Sequence, residues 1–147
     1  MDNDLKRLAQ ITMSVRRCFW LLAAVSDEMI KDLNVTASLR AVLEHIDQSG
    51  PSTVPQIARA KAVKRQSIQA LVDQLKERNL VEAVANPNDR RSHLIELTHD
   101  GQTLFAEIRR REAGAMSRLL EGLSEIDIAA TEQGMSSLHD ALLRMNE

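Results

Sequence analysis

Between residues 68 and 97 the hydrophobic pattern changes period, and that change restricts the fold more than any other feature of the chain. Ile68, Leu71, Val72 and Leu75 recur at i, i+3, i+4 and i+7, the spacing of one buried helix face. Asn79 stands where a left-handed C-cap residue belongs, and asparagine is the usual substitute for glycine there. Two short strand-like runs follow, LVEAVA and HLIEL, separated by NPNDRRS. Upstream, SGPST (residues 49–53) reads as a turn, and Thr53 starts a short helix, VPQIARA, with Pro55 tolerated in its first turn. Thr36 is a good N-cap for a helix through Leu39, Val42, Leu43 and Ile46. Residues 38–97 therefore spell helix, turn, short helix, helix and hairpin, which is a winged helix-turn-helix.

Long amphipathic helices flank this unit. Residues 5–30 read as one helix, with Leu5, Leu8, Ile11, Val15, Phe19, Leu22 and Met29 at helical spacing and Lys6, Arg7, Arg16 and Arg17 between them. No helix of equal length lies near it in the chain, so another subunit is the expected partner. Thr98 caps a helix through Leu104, Phe105, Ile108, Met116 and Leu120. Ser124 with Asp127 resembles a capping box, and the last helix carries Ile128, Met135, Leu138, Leu142 and Met145. The expected fold is mainly α with a small β-hairpin wing, a winged helix-turn-helix flanked by long N- and C-terminal dimerisation helices. Its parts are residues 1–35, an N-terminal dimerisation helix, 36–98, the winged unit, and 99–147, the C-terminal dimerisation helices.

Composition excludes several classes. A chain of 147 residues is one domain in size, and with 2% aromatics its core must be built from Leu, Ile, Val, Ala and Met. No apolar run is read as approaching the roughly 20 residues of a membrane helix. MDNDLKRLAQ lacks the layout of a secretory signal, and the lone Cys18 allows no intrachain disulfide, so a cytoplasmic protein is expected, with no membrane partner. His45, His93, His99 and His139 are dispersed, without metal-ligand spacing, so no metal site is expected. There is no nucleophile-and-base set, glycine-rich phosphate loop or carboxylate pair; neither an enzyme nor a cofactor is expected.

Charge points elsewhere. The net charge is −2, but residues 59–91 sum to +4, which leaves −6 for the rest. Arg59, Lys61, Lys64 and Arg65 fall within seven residues that contain no acid. Such a local patch matters more for phosphate binding than the global sum. On the helix carrying Ile68 and Leu75, the face opposite the apolar one is centred on Gln66, Ala70 and Asp73, flanked by Ser67 and Gln69. Glutamine can pair with adenine through two bonds, serine bonds to several bases, and Ala70 allows close approach. Lys64 and Arg65, at the helix start, are placed for phosphates. Asp73 fits DNA poorly and is assigned to the half of the helix leaving the groove. The same polar side chains would also serve a plain solvated face. In the hairpin, Arg90 and Arg91 would lie over a minor groove, whose negative potential attracts arginine. Asp89 is expected to pair with Arg91 and hold its guanidinium.

LVEAVANPNDRRSHLIELTHDGQTLF resembles the wing signature of the MarR family of transcriptional regulators. That signature is a D-x-R at the tip, here Asp89 and Arg91, and a strand closing in L-T-x-x-G, here Leu97, Thr98 and Gly101. RQSIQALVDQLKERNLV is similar to the family's recognition helix, with Asn79 where glycine is usual. The resemblance implies a homodimer whose first and last helices interlock, and two lobes on a pseudo-palindromic double-stranded DNA operator with half-sites roughly 34–36 Å apart. It also implies repression relieved by a small-molecule effector or an oxidant. Arg91 would take the minor-groove role, Asp89 its partner's, and Arg90 a second phosphate or groove contact.

Cys18 occupies a position similar to that used by peroxide-sensing relatives, with Arg16 and Arg17 able to favour a thiolate. The chain has no tyrosine, the residue through which such sensors activate their cysteine, so a small buried apolar role is the expectation. RRRE (109–112) is read as a solvated helix face. Two other functions stay open at this point: a winged protein-interaction module that no longer reads DNA, and a sensor whose main activity is ligand binding.

Overall fold

The computed structural model describes residues 3–145. Helix α1 (Asn3–Ile30) runs into a 3-10 turn, Lys31–Leu33, which ends on Asn34 in the left-handed region (φ 52°). Then come α2 (Ala37–Ser49), α3 (Val54–Lys61), α4 (Arg65–Glu77), β1 (Val81–Val84), β2 (Leu94–Leu97), α5 (His99–Leu120) and α6 (Glu125–Met145). The chain forms two compact units, Met1–Arg111 and Glu112–Glu147.

Caps set the boundaries. Thr36 Oγ1 accepts from the Leu39 N–H at 3.2 Å. Thr53 and Gln56 form a reciprocal capping box, with bonds of 3.3 and 2.9 Å between each side chain and the other's backbone N–H. Each satisfies donors that a helix start would otherwise leave unpaired. Asn79 is left-handed, at φ 55°, as its position implies. Ser124 accepts from the Asp127 N–H at 3.1 Å, but its hydroxyl then donates to the Asp127 carboxylate at 2.6 Å. Aspartate, one methylene shorter than glutamate, closes this motif through side chains.

In the first unit one core joins Leu39, Val42, Leu43 and Ile46 of α2, Ile57 of α3, Ile68, Val72 and Leu75 of α4, Ile95 of β2, and Phe105 and Ile108 of α5. Burying an aliphatic side chain of this size contributes about 1.5–3 kcal/mol. An exposed i, i+4 polar pair on a helix contributes only about 0.2–0.5 kcal/mol. The roll of α4 is therefore dictated by its three buried residues, and its polar face follows.

The strands pair antiparallel with Val81 opposite Leu97 and Val84 opposite Leu94, so the loop is residues 85–93, one residue longer at each end than the NPNDRRS connection. Ser52 adds an isolated bridge to Ile95, through bonds of 3.1 and 2.8 Å, within the stretch read only as a turn. The L-T-x-x-G stretch fastens α4's end to α5's start. The Thr98 hydroxyl accepts from the Gly101 N–H at 3.0 Å and donates to the Asn79 carbonyl at 2.6 Å, while the Thr98 N–H donates to Leu80 O at 3.1 Å.

Two expectations change. Asn3–Leu33 contains an 18-residue stretch that is, by length and composition, apolar enough to cross a membrane. Arg16 and Arg17 interrupt it mid-helix, where each would cost about 2.5–3.5 kcal/mol in a bilayer. Its apolar side chains stand open, with Phe19 63% and Trp20 70% exposed. The second change lies at RRRE. Arg111 is not solvated: its side chain is 23% exposed and is held by Asp32, Glu107 and the Met29 carbonyl. Arg109 and Arg110 do stand largely in solvent.

Candidate nucleic-acid interface

Helix α4 and the hairpin loop enclose a cleft of about 390 Å³ whose lining includes Arg65, Gln66, Gln69, Lys76, Arg91 and His93. Gln66 lies on the face of α4 opposite buried Ile68, Val72 and Leu75, Gln69 flanks that face, and Arg65 is exposed in the first turn. Lys64 is the N-cap residue of α4, extended (φ −70°, ψ 145°), with an exposed side chain. Its carbonyl accepts the N–H groups of Ser67 and Ile68 at 3.1 and 3.3 Å. Ser67 and Ala70 are exposed on the same helix but outside the cleft. The side chain of Lys64 thus adds a cation at the end of a helix whose own dipole favours anions.

The wing loop is shaped by its own short polar side chains. Asn86 Oδ1 accepts the Asn88 N–H at 3.0 Å, and Asp89 Oδ1 accepts the Arg91 N–H at 2.9 Å. Both are turns in which the side chain bonds the backbone two residues on. The expected Asp89–Arg91 pairing therefore takes another form: the carboxylate fixes the backbone of Arg91, and among the described residues no ion pair joins it to the guanidinium. The short aspartate reaches the nearby N–H more readily than the far end of the arginine. Arg91 reaches the cleft; Arg90 is exposed outside it.

Other residues of the basic segment are committed elsewhere. Arg78 donates to the carbonyls of Asn34 and Leu33 at 2.7 and 3.0 Å, tying the end of α4 to the end of the 3-10 turn. Sequence reasoning counted it in the basic patch, because the acceptor lies 44 residues away. It also missed Lys76 and His93 as cleft residues. Alternation along HLIEL, with Ile95 buried, was the available signal for the strand, though not for its reach to α4. Asp73 accepts a bond from Gln69 Nε2 at 2.9 Å.

Among the described residues no group of three or more His, Cys, Asp or Glu is placed to hold a metal ion. His45 is half-buried on α2, and burial, then the charge of Lys61, lowers its pKa below the usual imidazole value. Cys18 is exposed in the single chain rather than packed away.

The wing arginine Arg91 and the exposed Gln66 and Gln69 of α4 thus meet in one cleft. The sequence model of the MarR family matches residues 33–92. Over that stretch, from the 3-10 turn to the wing loop, the chain is similar to the MarR family. The HTH-type transcriptional repressor NicR of Pseudomonas putida is 30% identical over 96 residues, which span 65% of this chain and 61% of NicR. A crystal structure of a MarR family transcription regulator superposes with a TM-score of 0.89 at 25% identity, covering 97% of this chain and 94% of that one. The fold is shared with Streptococcus pneumoniae FabT, solved in complex with DNA, at a TM-score of 0.83 and 17% identity, covering 94% and 99% of the two chains. NicR is a transcriptional repressor, and the protein of the 0.89 superposition is a transcription regulator.

Proposed function

We propose that this protein is a homodimeric repressor of the MarR type that binds a pseudo-palindromic double-stranded DNA operator. The observation that carries the reading is the shared cleft of Arg65, Gln66 and Gln69 with Arg91. In it, α4 enters the major groove, where Gln66, Ser67 and Gln69 meet base edges and Ala70 permits close approach. Lys64 and Arg65 bind phosphates. Arg91 enters the neighbouring minor groove and Arg90 a flanking phosphate, while Asp89 sets the backbone at the tip.

Support for a dimer comes from apolar surface left open on the long helices. On α1 these include Leu8, Ile11, Leu22 and Val25, and on α6 Ile126, Met135, Leu142 and Leu143. Exposed apolar stretches of this extent are characteristic of interaction surfaces. Repression fits the similarity to NicR. Release by a small-molecule effector or an oxidant rests on the family resemblance; Cys18 is the one thiol that could answer the latter.

The test is fluorescence anisotropy of labelled DNA from beside the protein's own gene, and of DNA selected from a random pool, across a salt series. Wild type should bind tightly and weaken steeply with salt as phosphate counterions are released. Arg91→Ala should bind less tightly, with a salt slope smaller by about 1. Wild-type binding no better than to nonspecific competitor, for both DNA sources, would sink the reading.

A further inference from the structure

Asp73 is an acid on the face of α4 that carries the candidate base-reading residues, and among the described residues no ion pair neutralises it. Such a charge opposes phosphate binding. The structure gives it another use: its Oδ1 lies 2.9 Å from Gln69 Nε2, one helical turn away, and both side chains are exposed. An ionised carboxylate only accepts, so while this bond is made the nitrogen end of the Gln69 amide faces Asp73. One of its two N–H groups is then occupied. What remains for a base is the carbonyl oxygen as acceptor and a single N–H as donor.

We propose that Asp73 is a specificity-determining residue that sets the Gln69 amide to read adenine and reject guanine. The inference rests on the DNA-binding reading above. Adenine offers an N6 donor and an N7 acceptor in the major groove, the complement of what Gln69 has left. Guanine offers two acceptors, O6 and N7. A free glutamine could turn both N–H groups toward them. The held amide has one N–H to give, and its oxygen faces guanine O6 unfavourably. Asp73 is a positioning residue: it acts through Gln69 and needs no base contact of its own.

A purely structural aspartate and a positioning one differ in what their loss does. Neutralising Asp73 should tighten binding to random DNA, because a negative charge leaves a phosphate-binding face. The same change should weaken the choice between adenine and guanine at one position of each half-site, by about fivefold or more. A structural role would lower both together.

The experiment selects DNA from a random pool with wild type, Asp73→Asn and Gln69→Ala, then measures affinities for the selected site and its single-base variants. Thermal melts confirm that the exposed substitutions leave the fold intact. The expected result is adenine enriched by wild type at one position per half-site, with both variants losing that preference at that position, and Asp73→Asn binding random DNA more tightly. The proposal is overturned if Asp73→Asn keeps the full preference, if it alters a different position from Gln69→Ala, or if wild type enriches guanine there. If wild type enriches no site at all, the DNA-binding reading itself fails, and this inference falls with it.

Discussion

Arg111 grips Asp32 as a two-pronged fork, with Nη1 2.6 Å from Oδ1 and Nη2 3.0 Å from Oδ2. The same Nη1 donates to the Met29 carbonyl at 2.8 Å, and Nε donates to Glu107 at 2.9 Å. One guanidinium thereby ties α5 to the place where α1 ends in its 3-10 turn. Arg78 reaches that turn from the other direction, through the Leu33 and Asn34 carbonyls. The junction between the first helix and the winged unit is thus held from both α5 and α4. Arg111→Ala should lower the melting temperature by several degrees, and Arg111→Lys should recover little, because a single ammonium cannot reproduce the fork. Thermal denaturation of the two variants beside wild type checks this; full rescue by lysine would show that charge alone suffices.

The carboxylates of this cluster give the protein an acid-sensitive element. Hydrogen bonds from Arg110, then Arg111, pull Glu107 from its ordinary 4.5 down to about 2, and the Arg111 bond lowers Asp32 as well. The folded state therefore holds fewer protons than the unfolded chain between those limits, so stability falls as pH falls. The contribution is complete above about pH 4.5 and is lost as pH drops toward 2. Glu107→Gln should be less stable than wild type at neutral pH and should change less across that window. Both groups face solvent, so added salt should narrow the difference. Urea midpoints on a pH series would show it; parallel curves for the two proteins would count against the account.

How far the sequence carried the fold depends on distance along the chain. Thr36, Thr53, Asn79 and Thr98 were legible because each acts on residues within a turn or two, and the α4 face was legible because burial repeats with the helix. The Arg111–Asp32 fork spans 79 residues and has no periodic trace, so a structural arginine looked like a solvated one. Asp89 was placed at the right spot but given the wrong bond, since residue types alone do not separate a carboxylate that holds backbone from one that holds a guanidinium. For the candidate interface, which α4 residues face outward was readable from period. Which of them share a cleft with the wing was not, because that requires the register of β2 against β1 and the single bridge from Ser52.

Gly101 shows the physical content of the L-T-x-x-G stretch. A Cβ at this position would lie 2.0 Å from the Leu80 carbonyl oxygen, a backbone atom that itself accepts the Thr98 N–H. Neither partner can turn aside as a side chain would. Gly101→Ala should destabilise by about 1–3 kcal/mol, toward the upper end because backbone must move, despite alanine's better helix propensity. Since Leu80 leads directly into β1, the same variant should also weaken DNA binding by displacing the wing. Denaturant midpoints and the anisotropy assay test the two effects separately; a stability equal to wild type would mean that α5 shifts freely against Leu80.

Ala62 supplies a prediction of opposite sign. It ends α3 in the left-handed region, at φ 54°, with its N–H donating to the Ala58 and Arg59 carbonyls. An L-residue other than glycine pays about 1–2 kcal/mol for that conformation, and alanine has no polar side chain to offset it. Asn34 and Asn79 occupy the same region with the residue type that tolerates it better. Glycine at position 62 would remove the strain but enlarge the conformational freedom of the unfolded chain, which costs part of the gain. The strain is the larger of the two, so Ala62→Gly should stabilise by about 0.5–1 kcal/mol. Its side chain is exposed and fills no core space, so no packing is lost. Ala62→Val should move the other way, because a branched side chain fits this region least. Denaturant unfolding of both variants decides the matter, and a destabilised Ala62→Gly would mean that chain entropy outweighs the left-handed strain at this turn.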